Sequence, residues 1–566
     1  MKSLFGTLTS ALRRNSLWLV LSMLLPIFGL SNSVLAAERI YASYSALERS
    51  ISVTALEDFA TKGVINEDLE VYTHYLKPAQ LVELRRVLLS PIKVNAVAVS
   101  QFLYTSQGEF MLRRLGEVVK TDSRQEQPGF YALRSALILA AAEPQGLSLL
   151  NLLRKYPSSS IHIDLARTLG IASELEKLVS ETDKAIAAVR QKSDTEAAIA
   201  GPVNFSQLPD LKRKGRYASQ KVELRFFDTP RKRFLLTDVY LTNRPGSAPV
   251  IVISHGLGSD SSNFDYLATH LASHGFAVVL PNHPGSDAKQ LRSLLAGSTS
   301  DVAQPDEFIN RPLDVKYILD QMEKASQSDS RFKGRLNLQQ VGVFGQSFGG
   351  YTALALAGAK INFEQLQKDC QPQTLKDTWN VSLLLQCRVL ELRGKDNPQE
   401  YNFQDNRVKA AIAVNPITSS IFGEASLKQI QVPVMIVGSS DDTVAPAIYE
   451  QIRPFSWIAN SQKYLVMLTG ATHFSAIGKG KQGSEQVALP SEVVGDNPSL
   501  ARRYMNVLSL PFFETYIAGT SKYLPYLNAA YAKSVSSQPV GLSLVQSLTS
   551  TELAQALNGE IKEVKP

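Results

Sequence analysis

From about residue 38 to residue 200, apolar positions recur at three- and four-residue spacings. Examples are LEDFATKGVI (56–65), PAQLVELRRVLL (78–89), GEFMLRRLGEVV (108–119) and YALRSALILAAA (131–142). That period matches one face of a helix, and no sustained alternation interrupts it, so residues 37–200 are expected to form a small all-α domain. Hydrophobic density then falls. The Gly201-Pro202 pair stops the last helix and the polar residues after it have little to bury, which predicts a linker over 201–217.

Beyond residue 217 the period switches. KVELRFFD (221–228) and FLLTDVYLTN (234–243) read as an opening antiparallel pair. PVIVISHG (249–256), FAVVLPNH (276–283), QVGVFGQS (340–347), VKAAIAVNP (408–416), PVMIVGSSD (433–441) and KYLVMLTG (463–470) are short β-branched apolar runs of the kind buried on both faces. Helical stretches lie between them, among them FDYLATHLASHG (264–275) and RPLDVKYILDQMEKA (311–325). Strands alternating with helices predict an α/β domain over 218–535, with a mostly parallel sheet covered by helices on both faces. Inserts at 286–308 and 360–405 interrupt the alternation at strand ends, where pockets in such sheets are shaped. Residues 536–566 read as a C-terminal helical tail.

The length of 566 residues agrees with more than one domain, and 44% hydrophobic with 20% charged residues is the balance of a folded chain. The N-terminus has a different character. Lys2, Arg13 and Arg14 precede the apolar run LWLVLSMLLPIFGL (17–30), and the small residues Val34 and Ala36 follow. This is the layout of a secretory signal peptide over residues 1–36, cleaved after Ala36, and it predicts export to the periplasm or the extracellular space. An uncleaved membrane anchor is the alternative. Loss of the segment removes three positive charges and no acidic ones, so the net charge falls from +7 to +4. The basic stretches LKRKGR (211–216) and TPRKRF (229–234) lack interleaved aromatics and read as solvated turns, so nucleic acid is not an expected partner. A peripheral contact with an anionic membrane surface is compatible with the mild basic balance.

Cys370 and Cys387 are the only cysteines. In an exported chain they are expected to be bonded, closing a loop whose bridge contributes about 3 kcal/mol in the chain-entropy model. Two buried free thiols are the alternative. Neither the cysteines nor His270, His274 and His283 bring a set of ligands that completes a metal site, and no cofactor is expected.

The residues that carry chemistry lie in the α/β half. Gly345-Gln346-Ser347-Phe348-Gly349 sits between the apolar strand VGVF and the helix-like YTALALAG. A G-x-S-x-G between strand and helix is a sharp turn that exposes the serine hydroxyl above the sheet, which makes Ser347 the candidate nucleophile. A serine needs a base, usually a histidine oriented by a carboxylate, and with this elbow the order along the chain is serine, acid, histidine. Of seven histidines only His473 follows Ser347, in GATHF at the end of the last apolar strand. The preceding strand ends in Asp441 and Asp442. Asp442 is favoured as the acid, because in D-T-V-A-P the proline four residues on starts the next turn; Asp441 remains the alternative. Two backbone N–H groups should bind the oxyanion: that of Phe348, next to the nucleophile, and that of Leu257 in SHGLG after the first parallel strand. His255 then braces that loop.

At these residues the chain resembles known families. SHGLG followed by LASHGFAVV, with GQSFGG, looks like platelet-activating-factor acetylhydrolases and their bacterial relatives, whereas DDTVAP with GATHFSA is closer to dienelactone-hydrolase-like and cutinase-like polyester hydrolases. The resemblance covers roughly residues 215–525 and implies an α/β-hydrolase fold preceded by the small all-α domain, the latter resembling a domain of unknown function found before such hydrolases. It further implies ester hydrolysis through an acyl-serine, on a small-molecule or lipid ester such as a short-chain acyl or lipid acetyl ester. A serine peptidase or amidase would use the same triad, and a catalytically silent binding protein is the third alternative. Oligomeric state is not legible.

Overall fold

The computed structural model describes residues 36–92, 94–200, 205, 209–392, 401–480 and 497–558. The signal segment, apart from Ala36, lies outside the described residues, as do parts of the expected linker, of the 360–405 insert and of the C-terminal tail. The described chain forms two compact units. One comprises the residues up to Val99 with Met111–Leu169, the other Ser100–Phe110 with the residues from Gly170 onward.

The first unit is not all-α. Strands β1 (Arg39–Tyr44), β2 (Leu47–Ser52), β3 (Val119–Lys120) and β4 (Ser160–Asp164) form a sheet in the order β2-β1-β4-β3. β1 and β2 make an antiparallel hairpin, β4 runs parallel to β1, and β3 is antiparallel to β4. These strands are short and mostly half-exposed, and β1 finds β4 only across the whole unit, Arg39 pairing with Ser160. No local alternation announces such a sheet, because its register is set by distant pairing. The helices Val53–Lys62, Pro78–Leu89 and Glu126–Ala141 form where the helical period predicts them. The first shows why: the Ser52 hydroxyl accepts the Ala55 N–H, Gly63 closes the end at φ 75°, and Val53, Ala55, Leu56, Phe59 and Ala60 are buried.

Most of the long helix Leu165–Ile199 belongs to the second unit. Its Ala185, Ile186 and Val189 are buried with Leu548 and Leu553. Nine strands of this unit, β5 (Ser219–Asp228), β6 (Arg233–Thr242), β7 (Ala248–Ser254), β8 (Ala277–Pro281), β9 (Leu336–Gln346), β10 (Val408–Val414), β11 (Val434–Asp441), β12 (Lys463–Thr472) and β13 (Gly541–Val545), make one sheet among the described residues. Their order is β13-β12-β11-β10-β9-β7-β8-β6-β5. β5 and β6 are the predicted antiparallel pair, and the strands from β8 to β12 run parallel. Side chains alternate across the sheet. Val250, Val252, Val434 and Ile436 enter one core, while Ile251, Ile253, Met435 and Val437 enter the other.

Two readings need correction here. The tail after residue 535 is not simply helical: Gly541–Val545 adds β13 antiparallel to β12, Val545 opposite Leu465, before the helix Ser550–Asn558. Five residues of alternation become a strand only because an unpaired sheet edge awaits them. The TPRKRF turn is also not solvated throughout. Arg231 ion-pairs with Asp228 and Asp314, and Arg233 with Glu307 and Asp314.

The helix Glu307–Ser328 starts one turn before the predicted stretch and turns Glu307, Phe308, Arg311 and Asp314 into the interior. Pro312 within it has no N–H to offer the Phe308 carbonyl, and the Tyr351 hydroxyl donates to that carbonyl instead at 2.7 Å.

His270 is buried on helix Asp265–Ser273, its ring 4.8 Å from that of His274, and its Nε2 has no hydrogen-bond partner among the described residues. Burial, with His274 adding to it, lowers its pKa to about 4. The stability contributed by the neutral ring is therefore complete above the ordinary histidine value and is lost as the pH falls from about 6.5 towards 4, on the order of 3 kcal/mol in full. We expect His270→Leu to remove about 2 kcal/mol of the stability lost between pH 7 and pH 5. Thermal midpoints of both proteins across that range check it, and equal pH slopes would refute it.

Candidate active site

Every candidate catalytic residue leaves the carboxyl end of a parallel strand, and the strands concerned are close neighbours in the sheet: Ser347 after β9, Asp442 after β11, His473 after β12, and the 255–258 loop after β7. This is the edge where ligands bind in such sheets. Ser347 sits at φ 54° and ψ −117°, a strained conformation for a residue with a side chain, and its N–H is tied to the Val414 carbonyl at 2.8 Å. The flanking glycines follow from the crowding of this turn. A Cβ on Gly345 would fall on the Gly349 carbonyl, and one on Gly349 would fall on the Ser254 carbonyl.

The three side chains meet. His473 Nε2 lies 2.9 Å from Ser347 Oγ, and His473 Nδ1 lies 2.7 Å from Asp442 Oδ2. The other oxygen, Asp442 Oδ1, accepts the N–H groups of Val444 and Ala445 at 2.9 and 2.7 Å. An ionised carboxylate only accepts, so Nδ1 carries the imidazole proton and Nε2 is left to accept from the serine hydroxyl. All three residues are buried. Asp441, by contrast, is exposed and accepts from the Ser440 hydroxyl at 2.6 Å.

Leu257 lies in the turn after β7, and Phe348 opens the helix Phe348–Leu356. Neither N–H donates to an acceptor among the described residues. His255 is wholly buried beneath the loop. Its Nε2 accepts the His283 N–H at 3.1 Å, which requires Nδ1 to be the protonated nitrogen, donating to the Gly256 carbonyl at 2.8 Å. Burial, reinforced by the nearby Arg311 cation, holds its pKa well below the histidine range. Of the other histidines singled out in the sequence, His283 lies apart from His270 and His274, between the Ser254 hydroxyl and Asp314 at 3.0 Å each.

Several supporting residues carry no signal in the sequence. Gln346 Nε2 and Asn415 Nδ2 both donate to the His473 carbonyl, at 3.1 and 3.2 Å, and so fix the backbone from which the imidazole projects. Asn415 itself adopts φ 43° directly after β10. Glu450 is fully buried, and its carboxylate accepts from Asn380, Gln386, the Thr418 N–H and the N–H and hydroxyl of Ser419. It thereby ties the 360–405 insert to the loop after β10. Cys370 and Cys387 are bonded, with Cα atoms 5.6 Å apart, and close that insert on itself. The cysteines apart, these are ordinary polar residues in one sequence, and only their convergence in space marks them.

Sheet order, elbow and strand-end side chains together define an α/β-hydrolase fold. Residues 249–364 match a family model described as alpha/beta hydrolase fold, and residues 36–164 match one described as alpha/beta hydrolase of unknown function (DUF1400). These matches support placing the chain in the α/β-hydrolase superfamily, and with it a hydrolase activity. No curated protein matches the chain.

Proposed function

We propose that this hydrolase is an exported serine carboxylic-ester hydrolase working through an acyl-serine intermediate. The observation that carries the reading is the continuous hydrogen-bond relay from Ser347 through His473 to Asp442. In this mechanism His473 Nε2 takes the hydroxyl proton as Ser347 Oγ attacks the ester carbonyl carbon, and the carbonyl π electrons move onto oxygen. That oxyanion accepts the N–H groups of Leu257 and Phe348. Collapse re-forms the carbonyl and breaks the bond to the alcohol, which leaves with the proton from His473. Water then attacks the acyl-serine, giving its proton to His473, and the carboxylic acid departs as Ser347 recovers the proton. Asp442 holds the imidazole in the required tautomer throughout and stabilises the transient imidazolium.

The sequence layout of residues 1–36 supports export, and the Cys370–Cys387 bond suits an oxidising compartment. Among the described residues no helix is long and apolar enough to cross a membrane. A small-molecule or lipid ester is the expected substrate. A fluorophosphonate probe should label Ser347 stoichiometrically in the folded protein, and peptide mapping by mass spectrometry reads the site. Labelling elsewhere, or none, would overturn the assignment.

A further inference from the structure

The Arg311 side chain is fully buried, and its surroundings are unusual for a buried charge. No carboxylate lies within ion-pair distance of it among the described residues, although Glu307 and Asp314 stand one turn away on either side of the same helix. Those two acids are taken up by Arg231, Arg233, His283 and Ser286. Arg311 Nε and Nη1 have no hydrogen-bond partner among the described residues. A buried cation left without a direct counter-charge is expensive, and such groups persist where a site uses them.

Two contacts say what the use is. Arg311 Nη2 donates to the His255 carbonyl, at the root of the loop that presents the Leu257 N–H. Its guanidinium carbon stands 4.6 Å from the ring centroid of Phe348, whose own N–H is the second oxyanion donor. Phe308, one turn back on the same helix, packs on that ring from 4.6 Å. One side chain thus grips both donor segments, which come from different strands and share no direct covalent constraint.

We infer that Arg311 is the positioning residue of the oxyanion site, locking the Leu257 and Phe348 amides into one geometry and holding a positive charge behind the place where negative charge develops. This rests on the acyl-serine reading above. Preorganised donors and charge act on the transition state rather than on the bound ester. The effect should therefore fall on kcat and on the affinity for a tetrahedral mimic, and leave KM nearly alone.

The test compares wild type, Arg311→Met and Arg311→Lys on a short-chain p-nitrophenyl ester, with an alkyl trifluoromethyl ketone as the tetrahedral mimic and active sites counted by fluorophosphonate titration. Arg311→Met should lower kcat per active site about 100-fold with KM within about threefold, and weaken the ketone by a similar factor. Arg311→Lys keeps the charge but loses the planar fork and the ring contact, and should fall about tenfold. If Arg311→Met does not fold, Arg311→Lys decides alone. Should neither fold, Phe348→Leu, which removes the ring but not the amide, is expected to fall about tenfold in kcat and ketone affinity. Wild-type kcat and ketone affinity in the deciding variant would overturn the inference, and so would a lowered kcat with unchanged ketone affinity. Ser347→Ala in the same assay separates the two levels: if it keeps activity, the acyl-serine reading fails, whereas its loss beside an unaffected Arg311 variant sinks the Arg311 role alone.

Discussion

Replacing Ser347 by alanine is expected to lower kcat for a short-chain aryl ester about a millionfold, leaving only the residual acceleration from binding and the oxyanion donors. The size of the effect follows from the chemistry. Without Oγ no acyl-enzyme forms, and water must attack the ester directly with a base placed for a different nucleophile. The substitution removes a single oxygen. Ser347 N–H keeps its bond to the Val414 carbonyl, and alanine tolerates the φ of 54° no worse than serine does, so the fold should survive. Initial rates by absorbance, with circular dichroism to confirm folding, check the outcome. A variant retaining even a hundredth of wild-type turnover would place the nucleophile elsewhere.

Asparagine in place of Asp442 should lower kcat about ten-thousandfold, while asparagine in place of Asp441 leaves it within about threefold. Asp442 Oδ2 faces His473 Nδ1 at 2.7 Å, and its partner oxygen is committed to two backbone N–H groups. With the oxygen side of the amide held by those donors, its NH2 would point at Nδ1. The imidazole would then be driven to the tautomer that carries its proton on Nε2, where it cannot accept from Ser347. The Asp441 side chain is exposed and accepts from the hydroxyl of its neighbour Ser440. Parallel kinetics on the two variants decide between adjacent residues that one sequence leaves open. Equal losses, or the larger loss at Asp441, would reverse the choice.

The relay was legible at unequal depth. Ser347 is marked by a local pattern, since strand, crowded turn and helix lie within a few residues of one another. His473 is picked by order, because no other histidine follows the elbow. Asp442 is only favoured by the proline four residues on, with Asp441 left as the alternative, and it is the folded chain that buries Asp442 and exposes Asp441. Gln346, Asn415, Glu450 and Arg311 were not visible at all. Each acts through a partner distant in the chain, and a single polar residue carries no periodicity to reveal that partner.

The N-terminal unit illustrates the opposite error. Its helices are amphipathic over three or four turns and announce themselves, whereas β1 to β4 are between two and six residues long and pair across the unit. β13 was missed for the same reason: five residues of alternation, GLSLV, mean nothing until they meet the free edge of β12.

The amino-acid sequence by itself determined the alternation of strands and helices after residue 217, the elbow at Ser347 and the one histidine that follows it, because periodicity, crowding and chain order are local or one-dimensional properties. Tertiary structure alone decided which aspartate turns inward, which strands close the edges of each sheet, and that the buried Arg311 meets both the His255 carbonyl and the Phe348 ring. Those outcomes depend on which distant surfaces share the same interior, where an unpaired edge or charge is costly and a paired one is not.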